Sequence, residues 1–122
     1  MGSVGNWMTK RRMQDPVKGT ALVVSANSWT RAQVPSPLHA RLVVEGEGVP
    51  KTTVDHTEKV GPKLWGVWPS PAQTLPVTID RADPTRLLID WQQLLDRKEQ
   101  HQREAAAAEE QHLLDQAYGR NS

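Results

Sequence analysis

Cysteine is absent from the 122-residue chain, and so is phenylalanine. Without thiols the chain can form no disulfide and offers no cysteine nucleophile or cysteine-based zinc site, and this absence is compatible with any compartment. Without phenylalanine, a core must be built from valine, leucine, isoleucine and the five tryptophans. Each buried tryptophan can remove on the order of 200 Å² from water.

Strong net charge and long apolar runs are also missing. The formal net charge is +1, so no strong field favours nucleic acid or an acidic membrane. No apolar run approaches the ~20 residues that span a bilayer. The basic N-terminus is not followed by the apolar core of a secretory signal, and the cytosol is therefore the expected compartment. The length suits a single small domain.

The charges that are present are unevenly placed. Residues 1–18 carry four bases and one acid, whereas residues 94–118 carry three bases and six acids. These opposite ends could attract each other within one chain or between two chains, although exposed charge pairs are individually weak.

The stretch Thr74–Trp91 predicts two short strands around a compact turn. Leu75, Val77 and Ile79 alternate with polar residues or proline, and Leu87, Ile89 and Trp91 repeat this period of two. Because proline donates no hydrogen bond to a sheet, Pro76 indicates an edge strand or the start of a strand.

The turn between these strands runs from Asp80 to Thr85. Asp80 and Asp83 are expected to accept hydrogen bonds from nearby backbone amides, as short acidic residues do in turns. A cation site at the two aspartates is the functional alternative. It is disfavoured because Arg81 and Arg86 flank them and no third ligand is evident.

Three earlier segments also have the composition of strands. They are Gly19–Ser28, Leu38–Glu47 and Lys51–Val60. In the second, Leu38, Ala40, Leu42 and Val44 are predicted to face inward. The third is rich in threonine, which suggests an exposed or edge strand with Val54, His56, Glu58 and Val60 on one face. Five short strands favour a small, partly open barrel, either of the oligonucleotide-binding (OB) type or SH3-like.

Three motifs resemble small uncharacterised actinobacterial proteins. They are D-P-V-K-G-T-A-L-V-V (residues 15–24), L-V-V-E-G-E-G-V-P (residues 42–50), and the whole stretch Thr74–Trp91 with its Leu-Pro-Val and Asp-Pro elements. The resemblance covers residues 15–91. It implies a β-barrel-like domain and supplies no activity and no site residues.

The segment Gly61–Thr74 holds Trp65 and Trp68 among glycines and prolines. We expect it to be a lid that plugs one end of the barrel with indole rings, because the core is short of other aromatics. The alternative is an exposed recognition surface. In that case the barrel could bind single-stranded nucleic acid, with the two indoles stacking on bases and Arg41, Lys59 and Lys63 near the backbone.

The residues from Gln92 to Tyr118 are predicted to form a helix, since strong helix formers dominate and Gly119 marks its end. The helix lacks an apolar stripe, so it should project from the barrel, anchored by Trp91, Leu94 and Leu95. Contact with a partner helix or a second copy is one expectation, and a solvated tail is the other. A long coiled coil is not supported because apolar heptads are missing.

No catalytic motif accompanies these elements. The chain has no phosphate-cradling glycine loop, no dinucleotide fingerprint and no Gly-x-Ser-x-Gly elbow. His39 and His56 could meet across a sheet, but a site there would also need a deep pocket and a buried carboxylate. His101 and His112 are about 16 Å apart along a helix, which is too far for one metal ion.

The sequence thus predicts four segments: a mobile basic segment (1–17), a small barrel (18–91), a projecting helix (92–118) and a frayed tail (119–122). We expect a non-enzymatic interaction or structural module without cofactor or metal, whose helix mediates association with a partner protein or with itself. The candidate interaction residues are Trp65, Trp68, Leu94, Leu95, Ala105, Ala108, Leu113, Leu114 and Tyr118.

Overall fold

The computed structural model describes residues 13–119. Its strands are β1 (Pro16–Ala26), β2 (Ser36–Gly46), β3 (Val49–Val60), β4 (Thr74–Asp80) and β5 (Asp83–Ile89). A 3₁₀ helix (Pro62–Val67) lies between β3 and β4, and one long helix, α1 (Trp91–Gly119), follows β5. The strands form one antiparallel sheet in the order β3-β2-β1-β4-β5, and its two outer strands contact each other. The fold is therefore a nearly closed five-stranded barrel with a C-terminal helix, which confirms the predicted class.

Alternation along the strands builds the barrel interior. In β2, Leu38, Ala40, Leu42 and Val44 are all buried, as predicted. Equivalent positions of the other strands complete the core: Ala21, Val23, Val49, Val54, Val60, Leu75, Val77, Ile79, Leu87 and Ile89. The register of β1 against β2 shifts between Val23 and Ser25, and such irregularities bend a strand and increase its twist. The bend helps the sheet to curl on itself.

The edge prediction for β3 is confirmed, since β3 hydrogen-bonds only to β2 among the described strands. The edge alternative for Pro76 is wrong, because β4 lies between β1 and β5. Pro76 is tolerated there because it lies near the start of β4. On the side of β4 that faces β5, the carbonyl of Pro76 accepts from the N–H of Asp90, one residue beyond the end of β5.

The barrel begins before residue 18. Met13 is buried, and β1 begins at Pro16, so residues 13–17 belong to the barrel rather than to a mobile lead-in. Arg81 also forms an ion pair with Asp15 at 2.8 Å. The basic run at residues 10–12 lies outside the described residues, as do residues 120–122 of the predicted tail.

Only Asp90 separates β5 from α1. Its Oδ1 accepts from the backbone N–H of Gln93 at 3.0 Å, which caps the first turn. Trp91 is therefore the first residue of the helix and not, as its alternation with Ile89 predicted, the end of a strand.

The helix is anchored at its beginning and exposed beyond it. Trp91 and Leu94 are buried, Leu95 is half-buried, and every residue from Asp96 to Gly119 is exposed. The predicted projection is thus confirmed, and at 1.5 Å per residue the helix is about 43 Å long. Within residues 13–119, no helix has the length and apolarity needed to cross a membrane.

Candidate functional site

The segment after β3 folds over one end of the barrel. Val67 and Pro69 are buried, and Trp65 and Trp68 pack half-buried against the core. Each indole is also tethered. Trp65 Nε1 donates to the carbonyl of Val60 at 2.9 Å, and Trp68 Nε1 donates to the carbonyl of Asn27 at 2.6 Å. The arrangement is the lid that the sequence predicted.

Trp29, in the loop between β1 and β2, was not singled out by the sequence. Its ring stacks on that of Trp65 with centroids 4.5 Å apart and planes 15° from parallel. The neighbouring Asn27 joins the loop to β2, since its Oδ1 accepts from the N–H of His39 and its Nδ2 donates to the carbonyl of Pro37, both at 2.8 Å. No local pattern signals these contacts, because both residues lie in an irregular loop.

This geometry does not favour base stacking. Trp29 covers one face of Trp65, and the N–H groups of both lid indoles are already bonded to backbone carbonyls. Arg41 is exposed and ion-paired with Asp55 at 3.0 Å. Lys59 and Lys63 are exposed, the first on β3 and the second on the 3₁₀ helix.

A groove runs between the lid and the first turns of α1. Its volume is about 690 Å³, and Val67, Trp68 and Leu94 contribute apolar surface to it. Arg97, Lys98 and His101 line its helical side, and Lys98 Nζ donates to the carbonyl of Gly66 at 3.2 Å. The groove is open, and basic groups border its helical side.

The sequence raised the possibility that His39 and His56 meet across the sheet. In the structure His56 belongs instead to a polar cluster on the inner face of β3. His56 Nε2 lies 2.8 Å from Glu58 Oε1, and Trp91 Nε1 donates to Glu58 Oε2 at 3.1 Å. His39 is exposed on the other face of the sheet, so the two histidines do not meet. Neither the lid groove nor a smaller groove of about 210 Å³ beside β1 and β4 includes His56 or Glu58. The cluster has the geometry of a structural tie.

Asp80 is a second buried polar centre, and its role is structural. Its carboxylate accepts from the backbone N–H groups of Gln14 and Asp15, both at 3.2 Å, and of Ala82 at 2.9 Å. Burial raises the pKa of Asp80, but these hydrogen bonds and the charge of Arg86 together lower it by more. The pKa of Asp80 therefore lies below its ordinary value.

Asp83 likewise accepts from the N–H of Thr85 at 3.2 Å, so both aspartates bond to nearby backbone amides as predicted. The turn itself is shorter than the predicted Asp80–Thr85, because β4 ends at Asp80 and β5 begins at Asp83, which leaves only Arg81 and Ala82 between the strands. Within residues 13–119, no group of three or more histidine, aspartate or glutamate side chains is placed to hold a metal ion.

The predicted interaction residues separate into two groups. Leu94 is buried, and Trp65, Trp68 and Leu95 are half-buried, so these four mainly hold the lid and helix in place. The remaining five are exposed along α1: Ala105, Ala108, Leu113, Leu114 and Tyr118. Leu113, Leu114 and Tyr118 are 57%, 45% and 72% exposed and lie within six consecutive residues of α1.

Comparison with known proteins does not assign a function to the chain. No family model, no curated protein and no solved structure matches the chain. The resemblance to small actinobacterial proteins stays a prediction.

Proposed function

We propose that the chain is a non-enzymatic protein-interaction module, in which the barrel holds one helix outward for contact with another protein chain. The observation that carries this proposal is the exposure of the helix. From Asp96 to Gly119 it has no buried residue, yet it ends in the apolar group Leu113, Leu114 and Tyr118. A surface of this kind is typical of a helix that packs on a partner.

The energetics of helices support the same proposal. In proteins most helical stability comes from tertiary packing of one face, and here only the first turns of α1 are packed. Side-chain pairs such as Arg103 with Glu99, at 2.6 Å, add only about 0.2–0.5 kcal/mol each. A partner along the exposed part would supply the packing that the barrel does not.

For the barrel we propose the OB-like alternative. In its support, β1 lies between β2 and β4, β3 meets β5 at the seam, and a short helical element separates β3 from β4. Since both lid tryptophans are tethered and Trp65 is also stacked on Trp29, the proposal gives the barrel the role of a rigid mount rather than of a nucleic-acid platform. A cytosolic location remains part of the proposal.

In-cell photo-crosslinking tests this function. A photoreactive amino acid at Leu114 is expected to give a discrete protein adduct in the native host, whereas the same group at the exposed Glu47, in the turn between β2 and β3, should give none. The adduct would contain either a second copy or a different protein, and mass spectrometry identifies which. If Leu114 gives no adduct above the Glu47 control, the helix is not an interaction surface.

A further inference from the structure

The lid groove has an apolar floor that is already in place. Val67 and Leu94 are buried, Trp68 is half-buried, and all three line the groove. The indole N–H of Trp68 is bonded to the carbonyl of Asn27, and Leu94 lies in the anchored first turn of α1. Binding to such a preformed surface orders few additional groups and therefore costs little conformational entropy.

The charged side chains next to this floor are sorted by their position around the helix. Arg97, Lys98 and His101 line the groove, and none of the described residues that line it is acidic. At about 100° per residue, these three lie within an arc of about 100°, whereas Asp96 and Glu99 lie about 100° beyond its two edges. The groove side of α1 is therefore basic, and the acids of the same turns face away from it.

Arg97 and Lys98 have no acidic partner in the part of the chain that the structure describes. Lys98 Nζ donates to the carbonyl of Gly66, a neutral acceptor, and the ion pairs are formed by other residues. Gly66 makes room for this contact, because a Cβ there would lie against the ammonium group. Arg103, on the far side of the helix, is by contrast paired with Glu99 at 2.6 Å. The positive charge of the groove is thus left for a ligand to balance.

The lid groove continues into the smaller groove beside β1 and β4, since Thr74 and Arg97 line both. Lys18 adds a further base at the side of β1. Asp90 is an acid that lines the smaller groove, and its carboxylate is engaged with the backbone N–H of Gln93 at the start of α1. The two grooves together form a path along which a chain molecule can lie.

We propose that the lid groove binds an acidic segment of another protein that also carries apolar side chains. Carboxylates of this segment would pair with Arg97 and Lys98, and an apolar side chain would cover the floor. Charge complementarity is the argument for this partner, because a carboxylate matches the planar guanidinium group with two parallel hydrogen bonds. Nucleic acid fits less well, since two of the three floor residues are aliphatic and offer no ring on which a base could stack.

This docking site goes beyond the proposed function and does not depend on it. The groove lies at the anchored base of α1, whereas the exposed Leu113, Leu114 and Tyr118 lie near the other end of the helix. The two surfaces can therefore be tested separately on the same full chain.

Selection from a phage-displayed library of random peptides tests the chemistry of the partner. The full chain serves as bait, and the enriched peptides are expected to be rich in aspartate and glutamate and to contain leucine or an aromatic residue. The tightest selected peptide is then labelled with fluorescein and titrated with the full chain, and its anisotropy is measured. Its affinity should fall as salt is added, because ions screen charge pairs at an open surface.

Charge reversal tests which side of the helix binds the peptide. Arg97→Glu and Lys98→Glu should each raise the dissociation constant of the selected peptide at least about tenfold. Arg103→Glu is the matched control, because it makes the same change of charge on the far side of the helix, and it should alter the constant by less than about twofold. All three positions are exposed, so none of these changes disturbs the core. A peptide whose acids are replaced by lysine should bind the double variant Arg97→Glu/Lys98→Glu more tightly than the wild-type chain, which a damaged fold would not produce.

NMR of the isotopically labelled full chain identifies the bound surface directly. Addition of the selected peptide should shift the indole N–H signal of Trp68 and the amide signals of Val67 and Lys98, because these groups border the groove. The signals of Leu114 and Tyr118 should stay in place, because these residues lie at the other end of the helix.

The proposal is overturned if the selection enriches no acidic peptide, or if Arg97→Glu and Lys98→Glu weaken binding no more than Arg103→Glu does. It is also overturned if the groove signals respond to oligothymidylate and to no selected peptide, since the occupant is then nucleic acid. A shift of these signals when the concentration of the chain alone is raised would make a second copy the occupant and reject the proposal as well. In each of these cases an adduct at Leu114 in cells would leave the interaction function of the helix standing. Loss of that adduct, with peptide binding intact, would reject the helix and leave the groove.

Discussion

Trp91 donates a hydrogen bond from its indole N–H to Glu58, 33 positions earlier in the chain, at 3.1 Å. Glu58 lies on the edge strand β3, whereas Trp91 follows β5 at the other end of the sheet. The first residue of the helix therefore spans the seam at which the barrel closes. The remaining carboxylate oxygen of Glu58 is held by His56, so three side chains fasten β3 to the base of the helix.

Trp91→Ala should strongly destabilise the protein. It removes a buried indole and leaves a cavity at the seam, and such changes lower the free energy of unfolding by about 3–5 kcal/mol. Trp91→Phe keeps most of the apolar volume but removes the donor to Glu58, so its cost should be about 1–2 kcal/mol. Urea unfolding measures both, with Tyr118→Phe as a control at an exposed aromatic side chain. Equal stability of Trp91→Ala and wild type would contradict the tie across the seam.

Asp80 should make stability depend on pH in the acid range. Its pKa in the folded protein is lowered below the ordinary value of about 3.8, so the unfolded chain takes up a proton first as the pH falls. The stabilisation is complete above about pH 5, begins to fall as the pH approaches that ordinary value, and is lost as the pH passes through the lower pKa of the folded protein.

Asp80→Asn tests this expectation, because an amide oxygen accepts fewer hydrogen bonds than a carboxylate and carries no charge. The variant should be less stable than wild type at neutral pH, and the difference should shrink toward pH 2. Urea midpoints across this range give the comparison, with Asp55→Asn as an exposed control. A stability gap that stays constant with pH would show that the charge of Asp80 is not the cause.

The stack of Trp29 on Trp65 should be visible spectroscopically. Two indoles this close couple their electronic transitions, and the far-ultraviolet circular dichroism should contain an exciton signal. Trp29→Ala should abolish the signal and lower the free energy of unfolding by about 0.5–1.5 kcal/mol. Trp29→Phe should also abolish it but retain part of the stability. A signal that survives in both variants must arise from another pair of tryptophans.

Gly19 and Gly61 form a matched pair for substitution by alanine. A Cβ at Gly19 would lie against the carbonyl of Glu45 and 2.6 Å from Cδ1 of Ile79, so the sheet would have to shift. The expected loss is about 1–3 kcal/mol, as for other overpacked cores. A Cβ at Gly61 meets nothing within 4 Å, so Gly61→Ala should be close to neutral. Thermal unfolding decides, and equal effects at the two positions would contradict this packing.

Local patterns predicted most of the barrel. The alternation of Leu38, Ala40, Leu42 and Val44 identified the inner face of β2, because a period of two is a property of the strand itself. The threonine-rich β3 was identified as an exposed or edge strand because it contains few apolar residues. The exposure of the helix could also be predicted, since the only apolar residues between Leu95 and Leu113 are four alanines.

These local patterns could not predict contacts between segments that are far apart in the sequence. Asp80 was recognised as a turn residue, but its bonds to Gln14 and Asp15 depend on β1 lying beside β4. The same limit hid the stack of Trp29 on Trp65. Trp91 was placed in a strand because its alternation with Ile89 continues, whereas the cap at Asp90 starts the helix at that residue.

The joint at Asp90 has a mechanical consequence. With a single residue between the last strand and the helix, the sheet sets the direction in which the helix points, so barrel and helix tilt together. Over a length of about 43 Å, a tilt of about 5° at Trp91 displaces the tip at Tyr118 by ~4 Å. A small rearrangement of the seam would therefore produce a larger displacement at the far end of the helix. Conversely, a force applied at Tyr118 would act through the helix on the contact between β3 and β5.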